Sequence, residues 1–262
     1  MAQKQSEHYR RIFFRLYFGN TREPFTITLT NLEFYVVTKP EDVSEVYRNT
    51  ATLPFDIFAQ EILLYFGCTK SSIQSMYQRV DPQKSIYPNP DGKSLAHLSR
   101  DFHIHQLFPG NLLDKVGALF IDHFDKALTI EELTQRDRHV TFVDEDCVKV
   151  SLLDWLSDTF ADSILEIYFG DLLRKIEPDF VQVFREFEEH SWQALFRYPR
   201  FLGKKMFGPM DRVVGALEKY FEAPVEDRQD TVWFTPTLEK EMRNVDVGNR
   251  DIAIMIMTIY WG

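Results

Sequence analysis

The segment Ile252-Ala-Ile-Met-Ile-Met-Thr-Ile-Tyr-Trp-Gly262 has no polar face. As a helix it must be enclosed on every side, because any flank left in water would expose large apolar side chains. It follows Asp251 and stops at Trp261-Gly262 without a polar cap, so it reads as an interrupted central helix. A chain of 262 residues has the length for one large domain or two small ones, enough to wrap such a helix. Hydrophobic residues make up 44%, too many for a disordered chain. The 23 Phe point to a large apolar interior or an apolar pocket.

The formal net charge of −10 argues against a general nucleic-acid binder. Two cysteines, Cys68 and Cys147, exclude a disulfide scaffold and a four-Cys metal site, and they are compatible with a reducing compartment. No apolar run reaches the length of a spanning helix, and Met1–Glu7 has no signal-type apolar core. By its own signals the chain is expected to be neither secreted nor membrane-spanning.

Periodicity then orders the elements. Glu7–Phe18 mixes Arg10, Arg11 and Arg15 with aromatic residues and predicts a basic amphipathic helix ending at Gly19-Asn20. Phe25, Ile27 and Leu29 alternate with Thr, and Leu32–Val37 follows a turn at Thr30-Asn31, which predicts a hairpin. A short helix opens near Pro40 and runs through Val43, Val46 and Tyr47. Two more are expected at Ile57–Phe66 and Ser71–Gln78, then a loop over Asp81–Gly92 with three prolines. Longer helices are expected over Leu95–Leu107 and Asn111–Leu128, and the polar Asp137–Asp146 reads as an exposed connection. Ser151-Leu-Leu-Asp154 resembles a capping box for a helix that Gly170 caps. A further helix runs from Pro178 through Leu195, and Gly208-Pro209 opens the next one, up to Phe221. The expected fold class is mainly α with a small N-terminal β-hairpin, a single domain over 1–262, with no internal repeat and no interdomain linker.

The search for chemistry yields little. His97, His103 and His105 lie close in sequence but not on one helical face, so no metal site is predicted. There is no Gly-x-Ser-x-Gly elbow and no phosphate-binding Gly-rich loop. Cys147 follows three acidic residues, which disfavour a thiolate, and Cys68 reads as a small buried residue. Glu131-Glu132 and Glu188-Glu189 read as solvated faces. No catalytic residue is assigned.

One local feature stands out. Arg197-Tyr-Pro-Arg-Phe-Leu-Gly-Lys-Lys-Met-Phe207 joins Arg197, Arg200, Lys204 and Lys205 to Tyr198, Phe201 and Phe207 between two helices. Membrane-surface contact accounts for it, with cations on anionic headgroups and aromatic rings in the interface. An ordinary interhelical loop with buried aromatic rings accounts for it as well.

The order of a basic aromatic helix, a Thr-rich hairpin, "VVTKPEDVSEVYRN", "FHIHQLFPGNLL" (Phe102–Leu113), "VSLLDWLSDTFADSILEIYFGD" (Val150–Asp171) and a final apolar helix resembles the N-terminal half of a cytochrome P-450 monooxygenase. The resemblance is to fungal members, similar to the class of prostacyclin synthase and the sterol 7-alpha-hydroxylases. It covers essentially all of this chain and about half of such an enzyme, so it implies a partial P-450 fold ending in the central helix. The family's haem loop, Phe-x-x-Gly-x-x-x-Cys-x-Gly, is absent, and neither Cys68 nor Cys147 has that context. Glu-x-x-Arg occurs at Glu7/Arg10 and Glu45/Arg48, both ahead of the expected place, and the third helix lacks Trp-x-x-x-Arg.

The resemblance implies haem as cofactor, an NADPH-dependent reductase as partner, an apolar small-molecule substrate and no nucleic acid. It implies the cytosolic face of the endoplasmic reticulum membrane, with an anchor that this chain does not contain. It places Arg100, His97 and His105 as haem propionate candidates, and Phe55, Phe58, Met255, Thr258 and Ile259 as pocket walls. Without the axial Cys, the chain by itself is expected to be inactive. A second reading is a non-catalytic helical protein, membrane-peripheral or scaffolding, attached through the basic aromatic loop.

Overall fold

Alternation over Phe25–Leu29 produces the expected hairpin in the computed structural model, which describes residues 23–29, 32–135, 140–144 and 147–261. The helix expected over Glu7–Phe18 lies outside the described residues. Strand β1 (Phe25–Leu29) pairs antiparallel with β2 (Leu32–Val36), with Phe25 opposite Val36 and Ile27 opposite Phe34. Phe25, Ile27, Phe34 and Val36 are half-buried, and Thr26, Thr28, Glu33 and Tyr35 face water. Helix α1 (Pro40–Arg48) starts on Pro40, with Glu41 and Asp42 in its first turn and Arg48 in its last, as the helix dipole favours. Glu45 and Arg48 form an exposed pair at 3.5 Å. The chain divides into two compact units, Met1–Glu61 and Ile62–Gly262, and the division falls within α2 (Phe55–Phe66).

The second unit contains α3 (Lys70–Tyr77), α4 (Leu95–Leu107), α5 (Asn111–Ala127), α6 (Ile130–Gln135), β3 (Val140–Asp144) and β4 (Cys147–Val150). It continues through α7 (Leu152–Ile176), α8 (Phe180–His190), α9 (Trp192–Leu195), α10 (Lys204–Glu222), a 3-10 turn (Val225–Arg228), α11 (Phe234–Asn244) and α12 (Asn249–Trp261). Among the described residues the chain is thus mainly helical with two small antiparallel hairpins.

Helix α12 is enclosed as its sequence demands: every residue from Asp251 to Met257 is buried. Helix α10 packs along it and also against α8, with Val213, Val214 and Leu217 buried. Phe66, Phe187 and Trp261 close a triangle of rings 5.5–6.0 Å apart, joining α2, α8 and the end of α12. The charge that α12 buries is answered directly. Asp251 accepts from Thr69 Oγ1 at 2.6 Å and from the Thr69 N–H at 3.1 Å. Thr69 is also the N-cap of α3, accepting from the Ser72 N–H at 3.2 Å, so one corner fixes α3 and α12 together.

Four local expectations are corrected. Within Asp137–Asp146, read as an exposed connection, the described residues Val140–Asp144 form a strand paired with Cys147–Val150. The β-branched and aromatic residues of Val140–Val143 and Val148–Val150 outweigh the charges between them. Helix α10 begins at Lys204, capped by Gly203, and takes Pro209 into its second turn. The acceptor that Pro209 deprives of a partner is the carbonyl of exposed Lys205, which water can serve. The helix expected from Pro178 to Leu195 breaks at Ser191, whose hydroxyl donates to the Glu188 carbonyl at 2.7 Å. Ser151 is the N-cap of α7, but its hydroxyl donates to Asp154 at 2.6 Å instead of accepting from the backbone.

The loop over Asp81–Gly92 is strapped down. Glu241 on α11, 2% exposed, accepts from the Tyr87 N–H at 2.6 Å and from Ser85 Oγ at 3.0 Å. Asn244 donates to the Lys84 carbonyl at 2.7 Å. Truncation of the enclosed helix therefore carries a large cost. Ile254→Ala should lower unfolding free energy by about 2–5 kcal/mol in denaturant titration, while Ile86→Ala, on the exposed loop, should stay within about 0.5 kcal/mol.

Candidate functional site

Helix α7 is two limbs. Leu152–Phe169 ends at Gly170, whose φ of 62° and ψ of −163° are not helical, and Asp171–Ile176 continues beyond it. Gly170 thus ends the first limb, as its sequence suggested. The break frees backbone groups, and one short segment leading into the first turn of α11 takes them up. Val232 N–H donates to the Ile167 carbonyl at 3.2 Å, and Thr235 Oγ1 donates to the Tyr168 carbonyl at 2.7 Å. The Asp171 N–H donates to the Asp230 carboxylate at 3.0 Å. The positive φ favours glycine there, and a Cβ on residue 170 would displace that carboxylate from the Asp171 N–H.

The bend sets α8 across the first limb and leaves an apolar cleft of about 140 Å³. Ile164 and Phe169 of α7, Phe180 and Phe184 of α8, and Met257 and Tyr260 of α12 form its walls. That volume is close to the size that takes one benzene-sized guest. The Tyr260 hydroxyl is buried, and burial raises its pKa well above the ordinary phenol range. At the end of the cleft away from Gly170, the fully buried Asp158 on α7 is ion-paired with Arg185 on α8.

None of the residues expected to line a substrate pocket is among the walls of this cleft. Phe55 and Phe58 lie on the first turn of α2, rings 5.6 Å apart, both exposed. Met255 is buried on α12, Thr258 donates to the Ile254 carbonyl at 2.8 Å, and Ile259 is half-buried. The cleft takes Met257 and Tyr260 from a different flank of α12. The sequence signal for it was the pair of apolar runs in α7 and α8, and the register between them appears only once Gly170 bends the chain.

Helix α4 separates its histidines. His97 and Arg100 share an exposed face, with His97 Nδ1 3.2 Å from Ser94 Oγ. His105 packs instead on Trp233 at 4.7 Å and Tyr87 at 5.7 Å. His103 stacks on Phe234 at 3.9 Å. Among the described residues no group of His, Cys, Asp and Glu is arranged to hold a metal ion.

A haem-thiolate centre needs an accessible thiolate. The Cys68 thiol is 3% exposed, and burial, reinforced by the Asp251 carboxylate to which it donates, pushes its pKa up to about 12. Cys147 stands exposed on β4. His97 and Arg100 have the chemistry to meet propionate carboxylates, but neither cysteine supplies the axial ligand, so these residues do not make a complete haem site.

The basic aromatic segment forms a knuckle between α9 and α10. Phe207 turns inward, 4% exposed, against Tyr65 at 5.4 Å, and Tyr65 Oη donates to the Tyr198 carbonyl at 2.6 Å. The Arg200 guanidinium lies 4.5 Å over the Phe207 ring and is ion-paired with Asp211. Outward stand Phe201 and Leu202, 72% and 64% exposed, beside Lys204 and Lys205, which are also exposed. Trp192, Leu195 and Phe196 add exposed apolar surface from α9 and the turn after it, and Arg197 takes a positive φ of 48° there. Among the described residues, no helix is long and apolar enough to cross a membrane. Comparison with protein-family models, with curated proteins and with solved structures finds no match.

Burial lowers the pKa of His103, with a smaller opposing effect from its hydrogen bond to the Ser99 backbone. The unfolded chain then binds a proton that the folded chain resists, so the contribution is present above the ordinary value of 6.5 and is lost as pH falls below it. Thermal unfolding followed from about pH 7 to about pH 5 should show a steeper loss for the native chain than for His103→Phe. Equal slopes would contradict this assignment.

Proposed function

We propose that this chain is the helical N-terminal portion of a cytochrome P-450 monooxygenase, an enzyme that inserts one oxygen atom of O2 into an apolar substrate. The observation that carries the reading is the order of elements: a Thr-rich hairpin, a helix opened by Thr-Lys-Pro-Glu-Asp, then a series of helices, interrupted by the β3–β4 hairpin, that closes around an enclosed apolar one. The apolar cleft is consistent with it. In this reading a haem, when bound, supplies the oxygen chemistry through an iron thiolate that neither Cys68 nor Cys147 provides. An NADPH-dependent reductase supplies the electrons. The chain's own share is the wall around an apolar substrate, with His97 and Arg100 toward the propionates, and alone it is inactive.

The same reading places the protein on the cytosolic face of the endoplasmic reticulum membrane, with the knuckle as a surface contact. Exposed Phe201 and Leu202 would enter the interface while Lys204 and Lys205 meet headgroups. This feature equally suits the second reading, a non-catalytic membrane-peripheral or scaffolding protein.

One measurement separates the two readings and a second tests the knuckle they share. The coding sequence downstream of the Gly262 codon is expected to carry Glu-x-x-Arg and Phe-x-x-Gly-x-x-x-Cys-x-Gly in frame, and its absence from every frame would leave only the non-catalytic reading. For the knuckle, F201A/L202A/K204Q/K205Q should reduce flotation with anionic phospholipid vesicles by at least about tenfold. Equal flotation of the two proteins would rule out membrane contact at this site.

A further inference from the structure

The backbone groups of α7 on both sides of Gly170 are bound by residues of a single six-residue segment, 230–235. We propose that this segment is a latch: it holds α7 bent, and its release lets residues 171–181 move away from the first limb and open the apolar cleft to a small apolar guest.

The segment is well anchored at its base. Arg228 and Glu239, both almost fully buried, form a two-pronged pair at 2.7 and 3.0 Å. Arg243 donates to the same carboxylate at 2.9 Å and to the Phe221 carbonyl at 2.7 Å. The latch therefore moves with α11, and what gives way is its grip on α7. That grip is uneven. Thr235 is buried and Tyr168 half-buried, but Asp230 is exposed, so water competes most for its carboxylate and release begins there. A second tie across the joint, from Arg174 to Glu166 at 3.4 Å and Asp162 at 3.7 Å, is partly exposed and correspondingly weak.

The consequence falls on the cleft because its walls come from both sides of the joint. Ile164 and Phe169 precede Gly170, and Phe180, Val181 and Phe184 follow it. Phe169 adjoins Gly170, packs on Tyr220 and Tyr260 at 5.4 Å, and faces the cleft, so a guest there touches the joint directly. The Asp158–Arg185 pair fixes the far end and acts as the pivot.

The test is thiol labelling of V181C in a C147S background with a maleimide, in the native latch and with D230A or T235V added. Val181 is buried and lines the cleft, while Cys68, buried elsewhere, reports general unfolding. Each latch variant is expected to speed labelling at position 181 by about tenfold and leave Cys68 unchanged. Unchanged labelling at 181 in both variants, or an equal rise at Cys68, would overturn the latch. T235V keeps the side-chain shape, so it tests the idea even where D230A fails to fold.

Discussion

Burial of α12 on every side is the constraint on which the second unit depends. A helix with no polar flank offers each neighbour an apolar surface, and α10, α2 and α7 contribute side chains around it. Directional information then comes from the few polar groups in the interior. Asp251 selects the rotation of the first turn by taking both donors of Thr69, and the ring triangle of Phe66, Phe187 and Trp261 selects the last. Apolar packing of this kind tolerates many arrangements of similar volume, and buried polar pairs discriminate among them.

Much of the architecture was legible because it rests on periodicity. The hairpin, the helices at Leu95 and Asn111, and the enclosed terminal helix follow from alternation or from a 3.6-residue repeat. What was not legible rests on context. Helix α11 opens with Phe-Thr-Pro-Thr, and Pro236 reads as a breaker in sequence, but it sits in the first turn, where its missing N–H has no helical partner to lose. Pro209 lies inside α10 for a related reason, since solvent serves the carbonyl it leaves. The walls of the cleft could not be assigned from one helix at a time, because Gly170 brings two separate apolar runs face to face.

The same contrast holds at the surface. The basic aromatic segment was recognisable by composition, yet its members divide: Phe207 belongs to the interior with the exposed Arg200 lying over its ring, while Phe201, Leu202, Lys204 and Lys205 face outward. Only the neighbours Tyr65 and Asp211, distant or across a helix turn, reveal that division. Cys68 shows the converse. Its sequence surroundings suggested a plain buried residue, and burial, reinforced by the neighbouring Asp251 carboxylate, is the physical reason it stays a thiol.

Helix α12 is expected to be the last element of its unit to lose protection, and native-state hydrogen exchange across a denaturant series tests this most directly. Amides of Ile252–Met257 should exchange only through global unfolding, with an opening free energy equal to that from equilibrium denaturation. Exchange of those amides as fast as those of the exposed α1 would contradict this, because an enclosed helix cannot open while its surroundings remain closed.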